Sequence, residues 1–401
     1  MNIVQINAVY GYSSTGKIVK ELHEKLIDCG HSSYVFCSNF EDIDNRIYCM
    51  GTILSRKIHA LMSRITGLQG YFSFLATKKM LKKLDEIKPE IIHLHNLHGN
   101  YINVNLLLDY LIIHQIPTVI TLHDCWLFTG HCCHYIEENC NKWQTCCDKC
   151  PAKHKWNKSW FFDRSKKVYC DREKRFKKLS NLTIVGVSDW ITNESKKSFF
   201  KFNAKFMRIY NCIDLKTFFK KDTYNTDSRN ILAVSQTWSD IKGLSDIVKI
   251  GKDNSELNIT MIGNMPSIDL PDNIRSINAI SNVNDMVSKY QDADVFLHLS
   301  YQETFGKVIA EALSCGTPAV AYNITAMPEL IGPGCGSVVE KGDWKAAERA
   351  IINLLNEKKS NELAIQGNCR RYAEENFDAE NIMSQWLTLY NTCISDKKGC
   401  K

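Results

Sequence analysis

The chain alternates short apolar runs with amphipathic segments of helical period, and this alternation restricts its fold more than any other feature. Several of the apolar runs contain no polar residue, which is typical of strands covered on both faces. Strands that alternate with helices indicate parallel sheets and an α/β fold. We predict ten strands, at residues 3–6, 34–37, 91–94, 118–122, 183–187, 231–234, 258–262, 295–299, 319–322 and 337–339.

Ten strands are too many for one small sheet, so the pattern favours two doubly wound domains. We place the first at residues 1–205 and the second at 206–377, with the break in the polar, basic stretch 201–207. A final helix, 378–394, opens a C-terminal segment that ends at 401 with no further strand. Helices are also predicted between the strands, among them 17–29, 76–87, 283–291, 307–314 and 344–357.

Positive charge is concentrated in the first half of the chain. The 401 residues carry a formal net charge of +6, and residues 1–200 hold 27 Lys and Arg against 19 Asp and Glu. Most of the excess lies in the basic aromatic segment 153–178, with 11 basic and 3 acidic residues interleaved with aromatic ones. Such a segment suits the phosphates of nucleic acid or of an anionic membrane surface. It equally suits a solvated helix face whose aromatic side chains pack inward.

The apolar pattern does not predict a membrane-spanning helix. The longest apolar stretch, 104–122, is interrupted by polar residues and proline, whereas a spanning helix needs ~18 apolar residues in succession. The N-terminus has neither a basic flank nor a small-residue cleavage site, so we do not expect a signal peptide. We therefore expect a cytoplasmic protein whose scattered cysteines are reduced.

Ligands of open parallel sheets bind beyond the carboxyl ends of the strands, and the loop after the first strand carries a glycine pattern. Gly11, Gly16 and Lys17 follow the spacing G-x-x-x-x-G-K, in which small residues let backbone N–H groups approach a phosphate. Ile18 stands where Ser or Thr would bind Mg²⁺, which argues against an NTPase. We predict contact of Gly16 with a phosphate or sugar without a metal, or else an ordinary tight turn.

Two further loops after predicted strands carry histidine. His95, Asn96 and His98 follow the strand at 91–94, and we interpret them as polar groups that face a cleft. The alternative is that these histidines are buried and hydrogen-bonded. His123 follows the strand at 118–122 and precedes Asp124, a pair that can shuttle a proton or clamp a substrate hydroxyl or phosphate.

The loop after the strand at 295–299 is the most informative one. Glu303 lies in it and Glu311 lies two turns into the next helix, at most ~12 Å away along the axis. Two carboxylates so spaced can grip hydroxyls at both ends of a diphosphate-linked molecule. The diphosphate would then face the amides at the start of that helix, where anions are favoured. These amides belong to Phe305, Gly306 and Lys307.

Lys242 is a second candidate for the diphosphate. It stands beside Gly243 at the predicted start of a helix, in the loop after the strand at 231–234. The alternative is a surface lysine at a turn. Glu303 and Glu311 could likewise be ordinary carboxylates of a loop and a helix surface.

Seven of the 17 cysteines fall between residues 125 and 150. Four of them have the spacing Cys132-x7-Cys140-x6-Cys147-x2-Cys150, in which the C-x-x-C pair is typical of a zinc knuckle. We predict that these four hold a structural zinc ion in an insertion at about 125–151. Disulfides or unbound thiols are the alternatives, and the substitutes for a ligand are Cys133, Cys146, His131 and His134.

Several motifs together resemble a known family. Glu303 and Glu311, with Gly316-Thr317-Pro318 after them, resemble the E-x7-E signature of the family 4 retaining glycosyltransferases. The resemblance covers nearly the whole chain. Other motifs resemble a subgroup that builds bacterial surface polysaccharides such as colanic acid and O-antigen. They are Ser14-Thr15-Gly16-Lys17-Ile18, His95-Asn96-Leu97-His98-Gly99, Leu122-His123-Asp124, Val187-Ser188-Asp189-Trp190, Asn211-Cys212-Ile213-Asp214 and the cysteine pattern from Gly130 to Pro151.

The resemblance implies a GT-B fold, with two Rossmann-like domains facing a central cleft and a last helix that crosses back onto the N-terminal domain. It also implies transfer of a hexose from a UDP- or GDP-type sugar to a lipid-linked saccharide, at the inner face of the plasma membrane. The partners are then the donor, this acceptor and an anionic membrane surface, and no nucleic acid. No cofactor is expected for catalysis.

The resemblance also implies roles for particular residues. Glu303 would hold donor-sugar hydroxyls, Glu311 the ribose and Lys242 the diphosphate. His123 would face the donor sugar or its phosphate, and Gly16 would line the cleft. The remaining polar candidates, on the acceptor side, are His95, Asn96 and His98. A metal-binding acidic pair is not expected, since Asp292 and Asp294 precede their strand and so lie at its amino end.

Three departures from the family pattern bear on the choice of donor. The Arg that usually precedes Lys242 is absent, the usual Gly after Glu303 is Thr304, and residues 325–327 replace glycines. Two rival functions remain at this stage. One is a nucleotide-sugar epimerase of the same fold, which needs no acceptor. The other is a zinc protein that binds nucleic acid in a salt-dependent manner.

Overall fold

A computed structural model describes residues 1–40, 44–221 and 228–399 of the chain. The chain divides into two compact units. The first unit contains residues 1–209 and 383–401, and the second contains residues 210–382. Each unit is built around one parallel sheet, so the α/β class predicted from the alternation of strands and helices is confirmed.

The first unit contains a seven-stranded sheet in the order β5-β3-β1-β6-β7-β8-β9, and every paired strand is parallel to its neighbour. A separate two-stranded ladder joins β2 and β4. The strands are β1 Asn2–Ile6, β2 Val9–Tyr10, β3 Ser32–Cys37, β4 Asn39–Phe40, β5 Ile47–Cys49, β6 Ile91–Leu94, β7 Thr118–Leu122, β8 Leu182–Gly186 and β9 Lys205–Arg208.

Helices connect these strands, as parallel pairing requires. One of them, Val104–His114, buries Val104, Leu107, Leu108 and Leu111, which recur at helical spacing on one face. The helices of the first unit are α1 Ser13–Asp28, α2 Ile53–Thr66, α3 Phe74–Ile87, α4 Val104–His114, α5 Ser165–Phe176 and α6 Asp189–Lys197.

The second unit contains a six-stranded parallel sheet in the order β12-β11-β10-β13-β14-β15. Its strands are β10 Asn230–Thr237, β11 Asn258–Asn264, β12 Ile274–Ile277, β13 Val295–His298, β14 Ala319–Tyr322 and β15 Gly336–Val339. Its helices are α7 Leu244–Asp253, α8 Val283–Gln291, α9 Lys307–Ser314, α10 Met327–Leu330 and α11 Trp344–Phe377.

The last helix, α12 (Ala379–Gly399), starts in the second unit and belongs to the first from Met383 onward. Its Tyr390 is fully buried, and the hydroxyl lies 2.8 Å from Nδ1 of His93 on β6. This confirms the predicted return of the final helix to the N-terminal domain. Residues 400 and 401 of that predicted segment lie outside the described residues.

All ten predicted strands are present, with ends shifted by at most a few residues. The predicted linker 201–207 is wrong in one respect, because β9 (Lys205–Arg208) overlaps its C-terminal end and pairs with β8. This strand is at the edge of the sheet and its side chains are exposed or half-buried, so it lacks the apolar signal of an inner strand. The remaining strands that the pattern missed are β2, β4, β5 and β12.

Two predicted helices differ from the structure in length. The helix predicted at 17–29 begins at Ser13, so most of the predicted phosphate loop is its first turn. The helix predicted at 344–357 extends to Phe377, with non-helical backbone at Asn361. Among the described residues, no helix is both long enough and apolar enough to cross a lipid bilayer.

Candidate functional site

Two loops at the carboxyl ends of neighbouring strands form the candidate donor site of the second unit. Lys242 follows β10 and Glu303 follows β13, and the Lys242 ammonium lies 2.6 Å from Oε1 of Glu303. The two loops are also joined through the backbone, since the N–H of Tyr301 donates to the carbonyl of Ile241 at 2.7 Å. Both side chains are half-buried, with 32% and 21% exposed. A charged pair held in this way is available to a ligand at this edge of the sheet.

Glu303 has a second basic neighbour. Nε2 of His298, at the end of β13, lies 3.4 Å from the same carboxylate oxygen. Burial by itself would raise the pKa of Glu303, but Lys242 and His298 outweigh it and hold the pKa well below its ordinary value. The N–H of Glu303 donates to the hydroxyl of Thr325 at 3.0 Å, which fixes the backbone. Glu303 is therefore ionised, and its backbone is held in place by the bond to Thr325.

Two glycines shape these loops. Gly243 has φ +79°, and a Cβ there would lie 2.4 Å from the carbonyl oxygen of Leu299. Gly306 has φ +97° and directly precedes α9, in a conformation that other residues rarely adopt. The predicted amide run thus does stand at a helix N-terminus, with Lys307 as its first residue. The Phe305 side chain is buried, so it supports the loop from within.

Glu311 lies on α9, as predicted, but it is just over one turn from the start of the helix at Lys307 rather than two turns into it. The hydroxyl of Tyr290 donates to Oε2 of Glu311 at 2.8 Å. Tyr290 is fully buried, and burial together with the Glu311 charge raises its pKa well above the ordinary value. The Tyr290 hydroxyl therefore keeps its proton and holds one oxygen of Glu311 in place.

Asp292 and Asp294 lie at the amino end of β13, as predicted. Asp294 is buried and accepts from the N–H of Asn230 at 2.6 Å and from the hydroxyl of Ser228 at 2.9 Å. Its carboxylate also pairs with Lys358. These bonds connect Asp294 to the start of β10 and to α11. They satisfy its carboxylate without any bound ligand.

Histidines from two neighbouring strand ends meet in the first unit. Nδ1 of His95, which follows β6, lies 3.1 Å from Nε2 of His123, which follows β7. The other ring nitrogen of His95 lies 3.3 Å from the side-chain oxygen of Gln5 on β1. His95 is 1% exposed. His95 is thus buried and hydrogen-bonded, which is the alternative to a polar group that faces a cleft, and it lines one small hollow together with Asn96, His98 and His123.

A third histidine extends this cluster. His93 stacks on His95 with ring centroids 4.0 Å apart and bonds to the hydroxyl of Thr121 at 2.7 Å. Burial lowers the pKa of His93 to about 3 and that of His123 to about 4, and it lowers the pKa of His95 well below the ordinary value. All three rings are therefore neutral at pH 7. A single proton between His95 and His123 makes one of them the donor and the other the acceptor.

His98 has a different environment from these three. Its Nε2 lies 2.7 Å from a carboxylate oxygen of Asp124. Burial would lower the pKa of His98, but the Asp124 carboxylate outweighs it and the pKa is raised. Asn96 is half-buried, and its N–H donates to the side-chain oxygen of Asn7 at 3.1 Å. Of the predicted acceptor-side residues, His98 and Asn96 keep partial exposure.

Gly16 is buried in the first turn of α1. A Cβ at this position would lie 3.0 Å from the Val9 side chain and 3.4 Å from the N atom of Gly11. The carbonyl of Gly16 accepts from the N–H of Gly11 at 3.0 Å. A side chain at this position would therefore crowd Val9, so the glycine favours close packing at the start of the helix.

The four predicted zinc ligands line one small hollow in the first unit. The N–H of Gly130 donates to Sγ of Cys147 at 3.2 Å. Within the described residues, one group of three potential metal ligands has its ligand atoms within 4.8 Å of one another, and it consists of His98, Asp124 and Cys133. The sulfur atoms of the four cysteines that line the hollow are not such a group. They are therefore farther apart than the ligand atoms of one bound ion.

Sequence reasoning missed three contacts that complete these sites. His298 is a polar residue in the otherwise apolar strand β13, and this interruption is the signal that could have identified it. Gln5 interrupts β1 in the same way. Tyr290 gave no signal, because an aromatic residue near the end of an amphipathic helix is ordinary.

Two family profiles match the chain. "Glycosyltransferase Family 4" matches residues 15–217, and "Glycosyl transferases group 1" matches residues 216–371. The second profile covers the loops that carry Lys242, Glu303 and Glu311. The first covers the histidine cluster and the cysteine-lined hollow.

Two curated relatives match over part of their length. The chain is 26% identical over 239 residues to N-acetyl-alpha-D-glucosaminyl L-malate synthase of Bacillus anthracis, covering 54% of this chain and 61% of that protein. It is 34% identical over 107 residues to O-antigen chain mannosyltransferase B of Escherichia coli, covering 26% of this chain and 27% of that protein. In both cases the match spans less than two thirds of the relative.

A solved structure shows the same fold over nearly the whole chain. The Anabaena protein HepE, in complex with UDP, superposes with a TM-score of 0.67 at 15% identity, covering 98% of this chain and 100% of that chain. This likeness confirms the GT-B fold that the resemblance implied. With both profiles matched along almost its full length, the chain belongs to the family 4 glycosyltransferases.

Proposed function

We propose that the chain is a retaining glycosyltransferase that moves a hexose from a UDP- or GDP-type sugar to a lipid-linked saccharide during assembly of a surface polysaccharide. The observation that carries this proposal is the paired Lys242 and Glu303 at the strand ends, with Glu311 on the following helix. The relative named as an O-antigen mannosyltransferase and the neighbour solved with UDP support the same class of reaction.

The residues have distinct roles in this proposal. Lys242 binds the diphosphate, Glu303 holds hydroxyls of the donor sugar, and Glu311 binds the ribose. A diphosphate leaving group develops negative charge, so a fixed ammonium stabilises it as the bond to the sugar breaks. The neutral His123 offers a hydrogen bond to the donor sugar or its phosphate. Catalysis then depends on positioning and on leaving-group stabilisation.

The acceptor and the place of action are part of the same proposal. A lipid-linked acceptor resides in a membrane, so the enzyme would work at the inner face of the plasma membrane. The test is to incubate the purified chain with a panel of UDP- and GDP-sugars, with and without lipid extract from a polysaccharide-producing bacterium. We expect a glycosylated lipid and free nucleoside diphosphate only when extract is present. A changed sugar nucleotide formed without extract would instead identify an epimerase.

We also propose that Cys132, Cys140, Cys147 and Cys150 hold a structural zinc ion. Their thiols line one hollow, and the N–H of Gly130 points at Cys147, the type of bond that favours a thiolate. Zinc binds thiolates at about 2.3 Å in tetrahedral geometry, so the ion would draw the four sulfurs inward. Four thiolates leave no open position for water, and the ion would stabilise the loop that follows His123.

Metal analysis of protein purified without added metal tests the zinc proposal. We expect about one zinc per chain. The Cys147→Ser variant should lose most of the metal, whereas Cys29→Ser, at an exposed cysteine on another loop, should keep it. Far less than one zinc per chain in the unaltered protein would contradict the proposal.

A further inference from the structure

Helix α2 (Ile53–Thr66) has its polar side buried and its apolar side exposed. The buried side chains are those of His59 and Ser63. Leu54, Ile58 and Leu61, at positions i, i+4 and i+7, form an apolar stripe that is 45–67% exposed. A surface helix of a soluble domain normally shows the reverse arrangement, so the exposed stripe calls for a partner.

Hydrogen bonds fix α2 in this orientation. Nδ1 of the buried His59 lies 2.7 Å from the hydroxyl of Ser73, and its ring packs edge-on against Phe72. The hydroxyl of Ser63 donates to the carbonyl of Leu68 at 3.3 Å. Rotating the helix to bury its leucines would break these bonds and bury charged groups. The outward apolar stripe is therefore built into the fold.

Two further segments of the first unit also expose apolar side chains. Phe74 and Leu75 begin α3 and are 53% and 85% exposed. The loop 156–162 is tied to the end of α2, because the N–H of Trp160 donates to the carbonyl of Arg64 at 2.7 Å. Four of the loop's aromatic residues are exposed, and they are Trp156, Trp160, Phe161 and Phe162. We call these three segments together the outward apolar surface.

The charge around this surface is predominantly positive, with Asp163 as an acidic residue beside the loop 156–162. Between Asp44 and Asp85 the sequence contains no acidic residue, while it contains eight Lys and Arg. Three of the eight, Arg56, Lys57 and Arg64, lie on α2 itself. The loop segment adds further basic residues on its own flanks. Apolar side chains within a basic ring suit an anionic lipid leaflet, where the former enter the acyl boundary and the latter meet the headgroups.

Other occupants fit less well. A second copy of the chain would bring one basic ring against another, at an electrostatic cost. Nucleic acid would meet the basic residues but has no use for exposed leucine and isoleucine. The predicted membrane segment 153–178 contributes to this surface only through its N-terminal part. In its C-terminal part, helix α5 buries the aromatic side chains of Tyr169 and Phe176.

We propose that the outward apolar surface is where the first unit lies on an anionic membrane leaflet, which rests on the proposed use of a lipid-linked acceptor. The test is co-sedimentation with vesicles that contain phosphatidylglycerol and with vesicles of phosphatidylcholine alone. The triple variant Leu54→Gln/Ile58→Gln/Leu61→Gln should lose about tenfold or more of its binding to the anionic vesicles. Each of Lys57→Gln and Arg64→Gln, at exposed basic residues of α2, should lose about fivefold.

Matched controls are exposed apolar residues elsewhere. Ile113→Gln on α4 and Leu363→Gln on α11 replace side chains that are 76% and 69% exposed, and both should bind vesicles like the unaltered chain. The triple variant should keep the circular dichroism spectrum of the unaltered chain, since its three side chains are exposed. Equal vesicle binding by the triple variant and the controls would overturn the proposal.

Two parallel measurements separate this proposal from the proposed function. Sedimentation velocity without lipid should show the same mass for the unaltered chain and the triple variant, and a dimer lost in the variant would assign the surface to a second copy instead. Transfer to a detergent-solubilised acceptor should be unaffected in the triple variant. No transfer by the unaltered chain, with vesicle binding still lost in the variant, would contradict the proposed function and leave the membrane surface supported.

Discussion

The Lys242 ammonium and the Glu303 carboxylate are bonded to each other at 2.6 Å, although the family resemblance assigns one to the diphosphate and the other to the donor sugar. A donor that binds here must compete for both groups. Its diphosphate replaces the carboxylate as the partner of Lys242, and the freed carboxylate can then accept from sugar hydroxyls. The pair thus keeps both charges compensated until the donor arrives.

Replacing Lys242 should weaken donor binding. Lys242→Ala removes a charge-assisted bond worth ~1.5–3 kcal/mol, or about 10- to 150-fold in affinity. It also leaves Glu303 as an unpaired anion that repels the diphosphate. Isothermal titration with UDP and GDP measures the loss, and adding Glu303→Gln to Lys242→Ala should restore part of it.

Lys345→Ala is the matched control, because Lys345 also forms ion pairs, with Asp253 and Glu348, but lies exposed at the start of α11. Nucleotide binding by this variant should equal that of the unaltered chain. Unchanged binding in Lys242→Ala as well would show that the diphosphate binds elsewhere.

Glu311 and Tyr290 should act together on the nucleotide. Glu311→Ala removes the proposed ribose ligand and should cost about 10- to 150-fold in affinity. Tyr290→Phe removes only the hydroxyl that holds the carboxylate, a bond of ~0.5–1.5 kcal/mol, and should cost about 2- to 13-fold. Tyr110→Phe removes the same type of bond, to Asp85 in the first unit, and should change nothing. If Tyr290→Phe bound the nucleotide as tightly as Tyr110→Phe, the hydrogen bond from Tyr290 to Glu311 would not contribute to nucleotide binding.

The buried histidines should make stability depend on pH. The pKa of an unfolded histidine is ~6.5, whereas burial lowers the pKa to about 3 in His93 and about 4 in His123 and also lowers that of His95. Between these values the unfolded chain binds more protons than the folded chain. The contribution of these histidines to the free energy of unfolding is therefore fully present above pH 6.5. It decreases as the pH falls from 6.5 toward 4. Each histidine contributes a slope of roughly 1 kcal/mol per pH unit.

Urea unfolding at several pH values measures this slope. Burial also lowers the pKa of His59 and His131 to about 4, so they add to the same slope. His95→Gln removes one of these titrating rings and should lower the slope by roughly 1 kcal/mol per pH unit. His114→Gln, at an exposed histidine of α4, is the control and should leave it unchanged. If the free energy of unfolding of His95→Gln depended on pH as steeply as that of the unaltered chain, the histidine cluster would not be the source of the pH dependence.

Zinc removal should destabilise the first unit. A structural ion contributes folding free energy directly, so a strong chelator should lower the melting temperature of the unaltered chain by about 5 °C or more. Cys147→Ser should already melt lower and should not respond to the chelator. Cys29→Ser should behave like the unaltered chain, and a chelator response in Cys147→Ser equal to that of Cys29→Ser would contradict the assigned ligand.

Most of the fold could be predicted because inner strands of a parallel sheet are apolar at nearly every position. The strands at 91–94, 118–122 and 319–322 were predicted with the bounds that the structure has. The edge strands β9 and β12 were missed because a strand with one open side carries polar residues. For helix α2 the apolar stripe has helical spacing, but the sequence does not indicate that this stripe is exposed while His59 and Ser63 are buried.

The candidate site could be predicted in its parts but not in its contacts. Glu303, Glu311 and Lys242 were identified because their loops follow strands and their spacing is that of a known family. The contact between His95 and His123 depends on the register in which β6 pairs with β7. This register cannot be read from the sequence. The approach of His298 to Glu303 depends likewise on the backbone path after β13.

Transfer of a hexose with retained configuration is the central claim, and the anomeric configuration of the product tests it most directly. The purified chain is incubated with the donor that it binds most tightly and with acceptor lipid, and the new linkage is assigned by nuclear magnetic resonance. The account predicts a linkage with the configuration of the donor, formed at least 100-fold more slowly by Glu303→Gln. An inverted linkage, or equal rates in Glu303→Gln and the unaltered chain, would contradict it.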